Sequence, residues 1–97
     1  MKMSVVYIAG PITGIPDYKE KFSEAEQRLK AEGHIVLNPT VLPTGMPYES
    51  YFPICFAMID VAEKMYFLHG WEKSQGACFE FGHAASKRKV MMFEGEM

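Results

Sequence analysis

Ser74, Gly76 and Glu80 stand within seven positions of one another, directly after the apolar run Met65-Tyr66-Phe67-Leu68 and at the start of a helix-like pattern. A strand, a polar glycine-bearing turn and then a helix is how α/β chains build a small-molecule site. The Ser74 hydroxyl and the free N–H groups of a helix starting at Gly76 make an anion site without a lysine. Ser74 can cap the same helix. Glu80 falls in the first turns, where the helix dipole favours the anion. A carboxylate there, partly desolvated and facing the strand ends, can attack a sugar anomeric carbon and form a covalent glycosyl-enzyme intermediate. The alternative is an ordinary exposed helix glutamate. Trp71 is the only tryptophan and lies in the turn. A tryptophan in a loop shields a ligand more often than it fills a core, so Trp71 is expected to form a wall of the site.

These residues need a scaffold, and the hydrophobic pattern supplies one. Ser4 to Ala9 is a continuous apolar run, as in a parallel strand buried on both faces. Gly10-Pro11-Ile12-Thr13-Gly14 and the following Ile15-Pro16 form a loop. It is neither GxGxxG nor GxxxxGK[ST], so no phosphate motif is claimed. Its glycines either permit close approach to a ligand or serve only the turn. Asp17 is placed to cap a helix on which Tyr18, Phe22, Ala25 and Leu29 share one face, and Gly33 stops it. His34 to Leu37 is a second strand, ended by Asn38-Pro39, with a loop running on to Tyr48. A second helix covers Glu49 to Ala62, its start limited by Pro53, with Ile54, Met58 and Val61 as its buried face. Met65 to Leu68, a helix over 76–86 and a strand over 90–93 complete the alternation. Such alternation predicts a parallel sheet with right-handed crossovers and helices on both faces. Ligands then bind at the carboxyl ends of the strands.

Composition narrows the function. The chain has 97 residues, 48% hydrophobic and 23% charged, which fits one small globular domain. A net charge of −2 argues against binding a nucleic-acid backbone. The basic cluster Lys87-Arg88-Lys89 sits at a helix end, where cations complement the dipole. No run reaches the ~20 apolar residues of a membrane span. Met1 to Ser4 lacks a signal-peptide layout, so a cytoplasmic setting is expected. Cys55 and Cys78 are expected to be free thiols there. No zinc spacing is present, and no metal or cofactor is expected.

Tyr7-Ile8-Ala9-Gly10-Pro11-Ile12-Thr13-Gly14, then Asn38-Pro39-Thr40, then Gly70 to Ala77 with Glu80, resemble the small phage and bacterial proteins of the DUF4406 family. That family is similar to the nucleoside 2-deoxyribosyltransferases. The resemblance spans nearly the whole chain and implies a single small Rossmann-like (flavodoxin-like) three-layer α/β sandwich. Its four-stranded parallel sheet would have the order 2-1-3-4. By the same resemblance Glu80, within Gly76-Ala77-Cys78-Phe79-Glu80-Phe81-Gly82, matches the transferases' nucleophile. Ser74 matches a serine that binds a 5′-phosphate, and Tyr7 matches a strand-one tyrosine near the sugar. The ligand loops Gly10 to Gly14 and Asn38-Pro39, with Tyr48, Trp71, Ser74, Gly76 and His83, are the implied contacts. The base would stack on Tyr48 or Trp71. Homo-oligomers with sites near subunit interfaces are implied as well. One departure stands out. The relatives carry an aspartate on the second helix, where it orients or protonates the departing base, and Cys55 occupies that position here. Asp60, five residues on, lies about 140° around the helix and cannot replace it.

Three functions follow in order. The first is an enzyme that cleaves or transfers an N-glycosidic bond of a nucleoside or nucleotide, with Glu80 as nucleophile. The second is a non-catalytic protein that sequesters a nucleotide signal such as an ADP-ribose derivative, as phage counter-defence would require. The third is a structural or assembly domain, suggested by eight methionines and seven phenylalanines.

Overall fold

Four short apolar strands line up in parallel, and their order is the result of the crossovers between them. In the computed structural model, which describes residues 4–95, β1 (Val5–Ala9) is central and pairs with β2 (Ile35–Leu37) on one side. On its other side it pairs with β3 (Lys64–Phe67), which pairs with β4 (Val90–Phe93). All pairs are parallel and the order is β2-β1-β3-β4. Among the described residues no helix is long and apolar enough to cross a membrane. The expectation drawn from Met1 to Met3 lies outside the described residues.

Each face of β1 has its own core because successive side chains point to opposite sides. Val6 and Ile8 meet Phe22, Ala25 and Leu29 of α1 (Tyr18–Ala31). Tyr7 and Ala9 meet Cys55 and Ile59 of α2 (Tyr51–Val61) and Ala84 of α3 (Gln75–Ser86). One helix therefore covers one face and two cover the other, a three-layer sandwich. β1 is buried from Val6 to Ala9, as a doubly covered strand must be.

Two local expectations are corrected. Asp17 occupies the N-cap of α1 but makes no side-chain capping bond; its carboxylate instead sits 3.9 Å from Lys21. The buried residues of α2 are Cys55 and Ile59, while Ile54 and Val61 are exposed. This helix is apolar almost all round, so periodicity could not choose its inward face. The sheet and α3 choose it.

Candidate active site

The carboxyl ends of β1 and β3 open onto a cavity of about 230 Å³. Its walls come from the Gly10–Thr13 loop, from Tyr18 and Phe22 on α1, from the segment Pro39 to Thr44, and from Tyr48, Tyr51, Phe52 and Cys55 at the start of α2. Ser74, Gly76, Ala77 and Glu80 close the remaining side. Glu80 projects from the second turn of α3 and is only 9% exposed. Ala77, Glu80 and Ala84 form the buried stripe of that helix, at the i, i+3, i+7 spacing that one face requires. The two alanines let the helix approach the sheet, and the glutamate is carried into the cavity floor.

The Tyr7 hydroxyl donates to Glu80 Oε2 at 2.7 Å. Tyr7 is fully buried and does not line the cavity, so it meets a ligand only through Glu80. The resemblance implies a tyrosine near the sugar; here its hydroxyl stands one hydrogen bond back from the cavity, behind Glu80. Cys55 stands next to both. Burial pushes the Glu80 carboxyl from 4.5 up to about 7, opposed by its hydrogen bonds to Tyr7 and Cys55. Burial likewise raises the Tyr7 phenol well above its ordinary value, and the neighbouring Glu80 charge raises it further. Burial also lifts the Cys55 thiol to about 11. The dipole argument for a strongly anionic Glu80 thus fails. The dipole acts within the first turn of a helix, whereas Glu80 lies beyond that turn and loses its water.

The first turn of α3 is built as the sequence implies. Ser74 is the N-cap, extended in backbone, and its hydroxyl accepts from Ala77 N at 3.2 Å. Gly70, with φ of 88°, makes the left-handed turn that leads into this segment. Glu94 pins the same loop, accepting from His69 N at 2.9 Å and from Arg28 at 2.9 Å. A wider cavity of about 730 Å³ adjoins the first across Thr13, Tyr48, Ser74 and Gly76. Pro11, Lys21, His69 and Lys73 line it. A Cβ on Gly76 would come within 3.2 Å of the Tyr48 hydroxyl, so this ring spans the junction between the two cavities.

Other implied contacts lie elsewhere. Asn38 is buried and structural: its Nδ2 donates to Glu26 at 2.8 Å, and its Oδ1 accepts from Thr40 N and Thr40 Oγ1. Only its neighbour Pro39 reaches the cavity. Gly14, with φ of 79°, shapes the turn and lines neither cavity. Trp71 is not a wall. It stacks on Phe81 at 5.1 Å and packs on Phe67 and Phe93, because the β3–β4 side of the sheet offers apolar surface for its large ring. His83 is turned away towards α2, stacked on Phe56 at 4.3 Å and bonded to Asp60 at 2.8 Å. Asp60, on the far side of α2 from Cys55, lines neither cavity. Neither Trp71 nor His83 reaches the ligand space.

Sequence reasoning missed several wall residues. Tyr18 and Phe22 read as core, yet the first turns of their helix border the cavity. Tyr51 and Phe52 were hidden in the start of α2. The Tyr51 hydroxyl donates to Pro43 O at 2.7 Å and accepts from Met46 N, which fastens the Pro39–Tyr48 loop over the site. The available signal was the aromatic pair placed just before Pro53, in the first turn of a helix that must start near the sheet ends. Phe52 in turn meets Tyr48 edge-on at 5.1 Å.

Known structures share this fold. A 2-deoxyribosyltransferase from the psychrotolerant bacterium Bacillus psychrosaccharolyticus superposes with a TM-score of 0.74 at 23% identity, over 97% of this chain and 76% of that one. A 2-deoxyribosyltransferase from Leishmania mexicana gives 0.73 at 23% identity, over 93% of this chain and 63% of that one. The chain therefore spans about three quarters of one and under two thirds of the other, and it has the Rossmann-like fold of these transferases. No curated protein matches by sequence. The model of a domain of unknown function, DUF4406, matches residues 4–93, and the chain belongs to that family.

Proposed function

We propose that the protein binds a nucleoside or nucleotide and cleaves or transfers its N-glycosidic bond, with Glu80 as the nucleophile on the anomeric carbon. The observation that carries this reading is Glu80 itself. It is a buried carboxylate at the end of a cavity, held by the Tyr7 hydroxyl at 2.7 Å. Burial keeps water from it, and the hydrogen bond fixes the direction of its free oxygen. The aromatic walls at Tyr48 and Phe52 accept a flat base, and the sugar lies over Glu80. A phosphate on the ligand would extend into the wider cavity, towards the first turn of α3 with Lys21 and Lys73 nearby. The similarity of the whole fold to 2-deoxyribosyltransferases supports the same reaction class.

The decisive experiment incubates the protein with a nucleoside and nucleotide panel and follows base release, beside Glu80→Ala verified as folded by circular dichroism. Loss of turnover in the variant is the expected result. An equal rate in the variant removes Glu80 as the nucleophile.

A second reading is sequestration without turnover. It is favoured by Cys55, a cavity-lining thiol at the position where the family resemblance implies an aspartate. An unmodified nucleotide that co-purifies and is released intact on denaturation would establish it. Self-association fits either reading, because Ile54, Val61 and Phe79 leave apolar surface exposed along α2 and α3. Sedimentation velocity on the purified protein tests it.

A further inference from the structure

The groups that face Glu80 decide which leaving base the site can expel. Two protons lie within its reach, on the Tyr7 hydroxyl and the Cys55 thiol. Tyr7 is sealed behind Glu80, with no surface on the cavity. Cys55 does line the cavity. Glu80 is the one carboxylate among the described lining residues of the first cavity, and the rest of that wall is mainly aromatic and aliphatic. A neutral purine or pyrimidine leaves a sugar readily only when its ring takes a proton as the bond breaks, a step normally worth about 10²–10⁴ in rate.

Resting on the nucleophile reading above, we propose that the substrate is an N-glycoside whose base is already cationic at the glycosidic nitrogen, of the pyridinium riboside class. Such a base departs without a proton. The Glu80 carboxylate forms a C–O bond to the anomeric carbon while the C–N bond breaks. The C–N electron pair returns to the ring nitrogen, and a neutral pyridine leaves. Water then attacks the same carbon and displaces Glu80. The products are the free sugar, the carboxylate and one proton released to solvent.

The walls suit this class twice over. A flat cation is attracted to the faces of aromatic rings, and Tyr48, Tyr51 and Phe52 supply them. The Glu80 carboxylate supplies the opposite charge at the reacting end. The chemistry of both proton donors points the same way: each is held above its ordinary value, so neither gives up a proton readily at neutral pH.

The test compares kcat/KM for nicotinamide riboside and its 5′-monophosphate with those for adenosine, 2′-deoxyadenosine and thymidine, each with the wild-type protein and with Glu80→Gln. The pyridinium compounds are expected to be favoured by at least about 10²-fold, the rate a missing acid forfeits. Their turnover is expected to vanish in Glu80→Gln. A solvent deuterium isotope effect near unity on base release is expected too. In Cys55→Asp, the ratio of pyridinium to neutral rates is expected to fall by about 10-fold or more, because an acid is restored. Should that variant fail to fold, the wild-type comparison and the isotope effect decide alone. Glu80-dependent turnover of the neutral nucleosides within tenfold of the pyridinium compounds overturns this inference and leaves the nucleophile reading standing. No turnover of either class overturns the nucleophile reading itself.

Discussion

The Tyr7 hydroxyl on β1 donates to the Glu80 carboxylate on α3 across 2.7 Å, joining positions 73 apart in the chain. Both groups are removed from water, and each alters the other's proton affinity. The hydrogen bond favours the charged carboxylate; burial opposes it and prevails. A buried, directed carboxylate near its ionisation midpoint at neutral pH is suited to nucleophilic work.

Rate should follow that ionisation. On the proposed mechanism Glu80 attacks only as the anion, so kcat/KM for base release is expected to rise with pH and level off above a midpoint of about 7. A pH–rate profile on any turned-over nucleoside measures it. A profile already flat at pH 5 would contradict the burial argument.

Tyr7→Phe removes the bond that holds Glu80 down. Its midpoint is then expected to move to higher pH, with kcat/KM at neutral pH falling and partly recovering in alkaline buffer. A loss that is uniform across pH would mean that Tyr7 acts only through packing.

Stability should run in the opposite direction to activity. The folded carboxyl binds its proton more tightly than the unfolded one, so the folded state is favoured while Glu80 is protonated. The contribution of Glu80 to stability is therefore greatest below pH 4.5, declines as pH rises to about 7, and is level above that. The full decline is of order 3 kcal/mol. Glu80→Gln should abolish it and be the more stable protein at pH 8, by urea denaturation across the range. An unchanged pH dependence in the variant would assign the effect elsewhere.

Asp60 serves as a control. It is bonded to His83 and lies outside both cavities. Asp60→Asn is expected to leave kcat/KM and its pH midpoint where they are. A large loss would make Asp60 the acid that Cys55 is not.

Gly10 is constrained by packing. An added Cβ would lie 2.8 Å from Leu68 Cβ and 2.9 Å from its Cδ1. The contact is near the Leu68 backbone, where little can give, so Gly10→Ala should cost about 1–3 kcal/mol. For a domain of this size that lowers Tm by at least ~4 °C in a thermal melt.

Much of this protein was legible in one dimension. The four apolar runs, the helix between each pair and the stops at Gly33 and Asn38-Pro39 determine a parallel sheet, because strand pattern and connection length are local properties. Ser74 could be read as an N-cap and Glu80 as lying in the first turns of the helix that follows, because both are matters of spacing within a single turn and helix. What spacing could not decide was direction around a helix and distance between helices. Cys55 faces Glu80 while Ile54 and Val61 face outward, and His83 turns to Asp60 although it lies one turn from Glu80. Trp71 went to the β3–β4 aromatic cluster, where it packs on Phe81 and Phe93, rings that only the folded sheet and α3 bring together. The protonation of Glu80 is likewise a tertiary property. Sequence supplies the carboxyl and a nearby helix dipole, but only the packing of β1, α2 and α3 around it sets how much water it keeps, and that sets its charge.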